Sequence, residues 1–137
     1  MKRTSILIFA VMALFSLNAS ACGMSERVNG YENTTVEHAH AHWKAGEKSP
    51  VPFIFIDVRT PEEYADSHVD GAKLIPLQQL EQRIAEVPKD VQVYLYCRSG
   101  RRSVAAANIL VKAGYSNIEN IEGGITAWKG AGYPIVR

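Results

Sequence analysis

Apolar and polar positions along this chain alternate between two rhythms, one suited to buried strands and the other to one-sided helices. Residues 53–58, FIFIDV, form a continuous β-rich apolar run of the kind a parallel strand buried on both faces requires. Shorter runs at 72–75 and 118–121, and the run VQVYLY at 91–96, read the same way. Between them the spacing turns helical. Val36, Ala39, His40 and Trp43 lie on one face of a helix whose start, Thr34-Thr35-Val36-Glu37, fits a capping box with Thr34 as the cap and whose end is Gly46. Pro61-Glu62-Glu63-Tyr64 opens a short helix, with proline in the first turn and acids at the positive end of the dipole. Leu77, Leu80, Ile84 and Val87 trace a further helix that stops at Pro88. Residues 103–113 and 124–129 complete the helices. Strands alternating with helices predict a mainly parallel sheet with right-handed crossovers, an α/β fold arranged as a three-layer α/β/α sandwich. Ligands in such sheets gather at the carboxyl ends of the strands.

The first residues follow neither rhythm. Lys2 and Arg3 precede a twelve-residue apolar run, 6–17, broken only by Ser16 and followed by Ala19-Ser20-Ala21. A charged start, a short apolar middle and small residues before a cut describe a secretory signal over residues 1–21. The apolar run is too short for the ~20 residues that span a bilayer. Removing it takes two of the 15 basic residues and leaves 13 against 14 acids. The resulting expectation is a periplasmic protein, a monomer, with a flexible leader over 22–33 and a folded domain over 34–137. Cys22 follows the cut, where a bacterial lipoprotein carries its lipid, but Ala19 stands where that pattern favours leucine. Lipid anchoring is therefore the second choice, and membrane contact is expected only if Cys22 is lipidated. With two cysteines, a Cys22–Cys97 bridge is arithmetically available in an oxidising compartment, although Cys22 lies on the leader, away from every predicted element.

The 137 residues suffice for one domain, and a formal charge of +1 gives no generally basic face, so no nucleic-acid partner is expected. His38, His40 and His42 invite a metal reading, because imidazoles at i and i+4 share a helix face. No cysteine or carboxylate of suitable spacing completes a ligand set, so the reading is that His38 and His42 are solvated and His40 borders the core. No metal and no cofactor is expected.

The chemistry concentrates where the strand at 91–96 meets the next helix, across Cys97-Arg98-Ser99-Gly100-Arg101-Arg102-Ser103. A cysteine at a strand's carboxyl end, whose loop runs into a helix N-terminus, faces amides without helical partners. Gly100 permits the positive φ that curls those amides around one centre. Amide dipoles and the guanidiniums of Arg98, Arg101 and Arg102 would favour the thiolate, and the same ring would attract an anion. Cys97 thus reads as an activated nucleophile needing no histidine base. The bland alternative, a core cysteine at a strand end, does not account for three arginines within five positions.

At these residues the chain resembles the rhodanese-like domain family. Asp57-Val58-Arg59, Glu62-Glu63-Tyr64 and His68-Val69-Asp70-Gly71-Ala72 look like its N-terminal signature, with Ser67 and Asp70 where glycine and proline are also common. The loop opening at Cys97 matches its active site. Gly123-Gly124-Ile125-Thr126-Ala127-Trp128 with Gly132-Tyr133-Pro134 resembles its C-terminal signature. The resemblance implies about five strands and a sulfurtransferase in which Cys97 takes the outer sulfur of an anionic donor such as thiosulfate. The resulting persulfide would then pass its sulfur to cyanide or a cellular thiol. Arg98, Arg101 and Arg102 would guide the donor, with Arg102 pointing inward, while the amides of Ser99, Gly100, Arg101 and Ser103 cradle the persulfide. Asp57, Arg59 and His68 are read as scaffold: a buried ion pair, and an imidazole bonded to backbone.

Three other readings compete. A cysteine-dependent phosphatase or arsenate reductase places five residues between cysteine and arginine, whereas four separate Cys97 from Arg102 and the residue before the cysteine is Tyr96, not histidine. A binding or regulatory module of this fold usually lacks the cysteine. A periplasmic sulfur carrier serving a protein partner shares the first chemical step.

Overall fold

A computed structural model describes residues 27–137. The elements run β1 (Arg27–Val28), β2 (Tyr31–Thr34), α1 (Val36–Ala45), β3 (Phe53–Asp57), α2 (Pro61–Asp66), β4 (Lys73–Leu74), β5 (Gln92–Tyr96), α3 (Arg101–Lys112), β6 (Ile118–Ile121) and α4 (Gly124–Gly130). They build one sheet in the order β1-β2-β6-β5-β3-β4. The five strands β2 to β6 are parallel, as expected, and β1 adds an antiparallel edge. The apolar run at 53–57 sits centrally, with Phe55 opposite Tyr94 and Asp57 opposite Tyr96.

Strand alternation divides the core in two. One layer gathers Ile56, Val58, Leu95 and Cys97 with Leu110 of α3. The other gathers Phe55, Tyr94, Tyr96 and Ile121 with Ala39 of α1 and Trp128 of α4. Cys97 therefore emerges on the α3 side of the sheet, because it is two residues beyond Leu95 on a strand of period two.

Three expectations change. Residues 27–33, assigned to a leader, carry β1 and most of β2, and Asn33 pairs with Asn120 in the sheet. The polar composition that suggested a linker is that of a strand close to the sheet's edge, where polar side chains reach solvent. Thr34 accordingly ends β2, and the cap of α1 is Thr35, whose hydroxyl accepts from the His38 amide at 3.2 Å. The helix expected over Leu77 to Val87 is instead two 3-10 turns, at Leu77–Gln79 and Ile84–Glu86. Its apolar residues do face the core, but the buried Tyr115 hydroxyl lies 2.9 and 2.7 Å from the Ile84 and Val87 carbonyls and engages them from across the interface. Tertiary packing here overrides helix propensity. The signal at 1–21 and Cys22 lie outside the described residues. Among the described residues no helix is long and apolar enough to cross a membrane.

Candidate active site

Strand β5 ends at Tyr96 and α3 begins at Arg101, so Cys97 to Gly100 form a four-residue bend at the sheet's carboxyl edge. Gly100 sits at the helix N-cap with φ +111°, a conformation that strains any residue with a Cβ. That turn aims its amide at the sulfur: Gly100 N lies 3.0 Å from Cys97 Sγ, and the Ser103 hydroxyl 3.4 Å from it. Cys97 is only 1% exposed, yet the loop closes toward its sulfur instead of turning away. Burial pushes the thiol up. The Ser103 hydroxyl and the amides of Ser103, Gly100 and Ser99 outweigh that, so the thiol titrates below its ordinary value. Stabilisation of the thiolate was expected from amides and guanidiniums together. The Ser103 hydroxyl and the loop amides are its largest causes, and of the arginines Arg102 adds an electrostatic attraction to the sulfur.

Arg98 and Arg101 are exposed on the loop. Arg102, expected to point inward, is less exposed, but its guanidinium is held by Glu63 of α2 in a two-point pair at 2.7 and 2.8 Å. Glu63 is fixed from both ends. Its carboxylate accepts from the Thr60 amide at 3.0 Å while its amide donates to the Thr60 hydroxyl, a capping box that starts α2. Arg102 above all, and then Thr60, hold the Glu63 carboxyl at about 2. In the sequence Glu63 reads as a helix-start acid and as part of the N-terminal signature, with no partner indicated. The T-x-x-E spacing from Thr60 was the available sign that it is a fixed anchor.

The far side of the loop is clasped by α4. Ile125 N donates to the Cys97 carbonyl at 2.9 Å, and Thr126 donates to the Arg98 carbonyl through its amide at 3.2 Å and its hydroxyl at 2.9 Å. This close approach requires Gly124, at φ +55°: an added Cβ would collide with the Cys97 and Arg98 carbonyls. Gly124 of the C-terminal motif thus acts on the sulfur loop, a role its position in sequence does not disclose.

The scaffold residues stand as read. The Arg59 Nη2 lies 2.6 Å from an Asp57 carboxylate oxygen and 2.6 Å from the Ser67 carbonyl, with both side chains buried. His68 Nδ1 bonds the Tyr64 carbonyl at 2.8 Å, and its backbone bridges to Val136. Of the three helix histidines, His38 is solvated and His40 stacks on Tyr133 with 3.7 Å between centroids. His42, expected in solvent, is half-buried and hydrogen-bonded to the Tyr94 hydroxyl at 2.9 Å. The side chain of α1 at that position is drawn inward because the tyrosine, buried on β5, needs a partner. Among the described residues no cluster of His, Cys, Asp or Glu could hold a metal ion.

The comparisons agree with this geometry. Residues 38–131 match the rhodanese-like domain family. A sulfurtransferase of Allochromatium vinosum is 42% identical over 83 residues, which cover 61% of this chain and 78% of that protein. The thiosulfate sulfurtransferase PspE of Escherichia coli is 48% identical over 71 residues, covering 50% of this chain and 68% of its own length. Among solved structures, a Rhodopseudomonas palustris protein of unknown function, titled a possible tyrosine phosphatase, superposes with a TM-score of 0.67 at 29% identity. The match covers 77% of this chain and 85% of that one. A buried strand-end cysteine inside a ring of amides, in a five-stranded parallel sheet matched over most of its length, places the chain in the rhodanese-like domain family, whose relatives here include sulfurtransferases.

Proposed function

We propose that this protein transfers a sulfane sulfur from thiosulfate, or a similar anion, to a thiophilic acceptor through a persulfide on Cys97. The observation that carries the reading is the sulfur's setting, with Gly100 N at 3.0 Å, the Ser103 hydroxyl at 3.4 Å and a thiol held below its ordinary titration range. In the first step the Cys97 thiolate attacks the outer sulfur of thiosulfate. The S–S bond of the donor breaks, and sulfite leaves with the electron pair. In the second step cyanide or a thiolate attacks the outer persulfide sulfur, forming thiocyanate or a new persulfide and returning the Cys97 thiolate. The loop amides and Ser103 stabilise negative charge on sulfur throughout. Exposed Arg98 and Arg101 attract the donor, while Ser99, Gly100 and Ser103 hold the sulfur once it is bound.

A phosphatase reaction is disfavoured by the arginine. In a phosphate-binding loop an arginine must face the bound anion, whereas Arg102 is engaged at two points by Glu63. The signal-like pattern of residues 1–21 supports export to the periplasm, with a lipid on Cys22 as the second reading.

Intact mass after thiosulfate treatment tests the proposal: a gain of one sulfur atom is expected and should vanish on cyanide addition. Cys97→Ser should abolish both the adduct and thiocyanate formation. Turnover surviving in that variant, or brisk hydrolysis of an aryl phosphate by the wild type, would overturn the assignment.

A further inference from the structure

Glu63 carries a charge that its own helix does not need. A capping box works with glutamine as well as glutamate, because only an oxygen is required to accept from the Thr60 amide. The positive end of α2 already has a carboxylate in Glu62. Nor is the pair with Arg102 a strong tie between helices, since both side chains are partly exposed and such pairs add little to stability. The purpose of the charge lies in where Arg102 stands.

Arg102 belongs to the first turn of α3, beside the amides that surround Cys97 Sγ, and its guanidinium is near enough for the charge on sulfur to act on it. Glu63 lines a groove of about 530 Å³ between α2 and α4, onto which Arg98 of the sulfur loop also opens. A phosphate or sulfate ion is best held by an arginine fork, with two parallel N–H groups on two of its oxygens. In Arg102 that fork is filled, because Nη1 and Nη2 both donate to Glu63. The same carboxylate offsets the guanidinium charge and repels a second anion. A sulfur donor loses less by this, since the atom Cys97 attacks is sulfur, and the Gly100 amide and Ser103 hydroxyl hold sulfur without an arginine. Given the persulfide reaction proposed above, we propose that Glu63 is a positioning residue that sets anion selectivity. By occupying Arg102, it keeps oxyanions of the phosphate class off the sulfur loop and leaves the loop to sulfur donors.

Inorganic phosphate is the probe, and its affinity is read from the concentration that half-protects Cys97 against iodoacetamide, in the full chain carrying Cys22→Ser. Comparing rates with and without phosphate at each pH cancels any change in thiolate fraction between variants. Glu63→Gln, whose amide oxygen can still cap α2, should lower the half-protecting concentration by about tenfold or more, as expected when a charged hydrogen-bond donor is restored to the site. Adding Arg102→Met to Glu63→Gln should return it to the wild-type level, which a general loosening of α2 would not do. Phosphate should likewise become a stronger competitive inhibitor of thiosulfate turnover in Glu63→Gln, while kcat without phosphate stays close to that of the wild type. A half-protecting concentration that Glu63→Gln leaves unchanged or raises would overturn the proposal, as would a fall that Arg102→Met does not reverse. Protection by phosphate needs no sulfur transfer. A wild type that fails to turn over thiosulfate would therefore count against the reaction and leave the phosphate result standing.

Discussion

Replacing Ser103 with alanine isolates the hydroxyl's share in stabilising the sulfur. The Ser103 Oγ lies 3.4 Å from Cys97 Sγ and 3.1 Å from the Gly100 carbonyl, and it has one proton for the two. With a thiolate present the proton turns to sulfur. With a thiol present it serves the carbonyl, and the S–H can donate to Oγ. Ionisation therefore exchanges a neutral hydrogen bond of about 1 kcal/mol for a charged one of about 2 kcal/mol, a net gain near 1 kcal/mol. At about 1.4 kcal/mol per pH unit, the alanine variant should raise the thiol's titration midpoint by roughly 0.5–1. The midpoint can be read from the pH dependence of iodoacetamide alkylation, in a Cys22→Ser background so that one thiol is followed. Thiosulfate turnover should fall most at pH values below the new midpoint and recover as pH rises past it. A midpoint that stays put or moves down would show that the hydroxyl is committed to Gly100 in both states, and the account of the loop's electrostatics would fail.

Other parts of the site give separate tests. The Glu63 carboxyl is held at about 2, against an ordinary 4.5, so its stabilising contribution is fully present above 4.5 and is lost as pH falls toward 2. Taken whole, that difference would be ~3 kcal/mol, but the two side chains are 29% and 31% exposed, and solvent screening reduces it to ~1 kcal/mol. A urea double-mutant cycle of Glu63→Gln and Arg102→Met should show that coupling at neutral pH and its progressive loss in acid; a pH-independent coupling would contradict the pairing. Gly124→Ala introduces a Cβ against the Cys97 and Arg98 carbonyls at φ +55° and should destabilise the fold by ~2–4 kcal/mol in urea. Near-neutral behaviour would mean that α4 does not clasp the loop. Asp57→Asn strands the buried Arg59 guanidinium and should cost ~3–5 kcal/mol in the same assay, while a loss under about 1 kcal/mol would show the pair to be dispensable.

Periodicity disclosed the strands and most helices because their apolar faces answer to a single sheet. It failed at Leu77 to Val87, where the spacing is right but the Ile84 and Val87 carbonyls are engaged by Tyr115 from across the interface. It failed again at 27–33, where mostly polar residues pair in the sheet and Tyr31 supplies the only large apolar side chain buried there among the described ones, a pattern that leaves little mark on hydropathy. In the loop, residue types and spacing were enough to single out Cys97 and the amide ring. The amides of Ser99, Gly100 and Ser103 were named from the resemblance, whereas the Ser103 hydroxyl as a direct partner of the sulfur was not legible, since its reach depends on the turn at Gly100. The partners that decide the matter, Glu63 for Arg102 and Gly124 for the loop carbonyls, come from elements brought near only by folding.

The position of β2 also constrains how the chain reaches its final state. Its parallel neighbour is β6, so Asn33 waits for Asn120 and the sheet cannot close until almost the whole polypeptide is available. Pairings so remote in sequence are slow to nucleate and leave partly made chains open for longer. A ribosome or a membrane channel delivering the protein from its amino end would therefore emit an unstructured thread for most of its passage. Chains lacking the last twenty or so residues should remain protease-sensitive along their entire length, not only at the cut end.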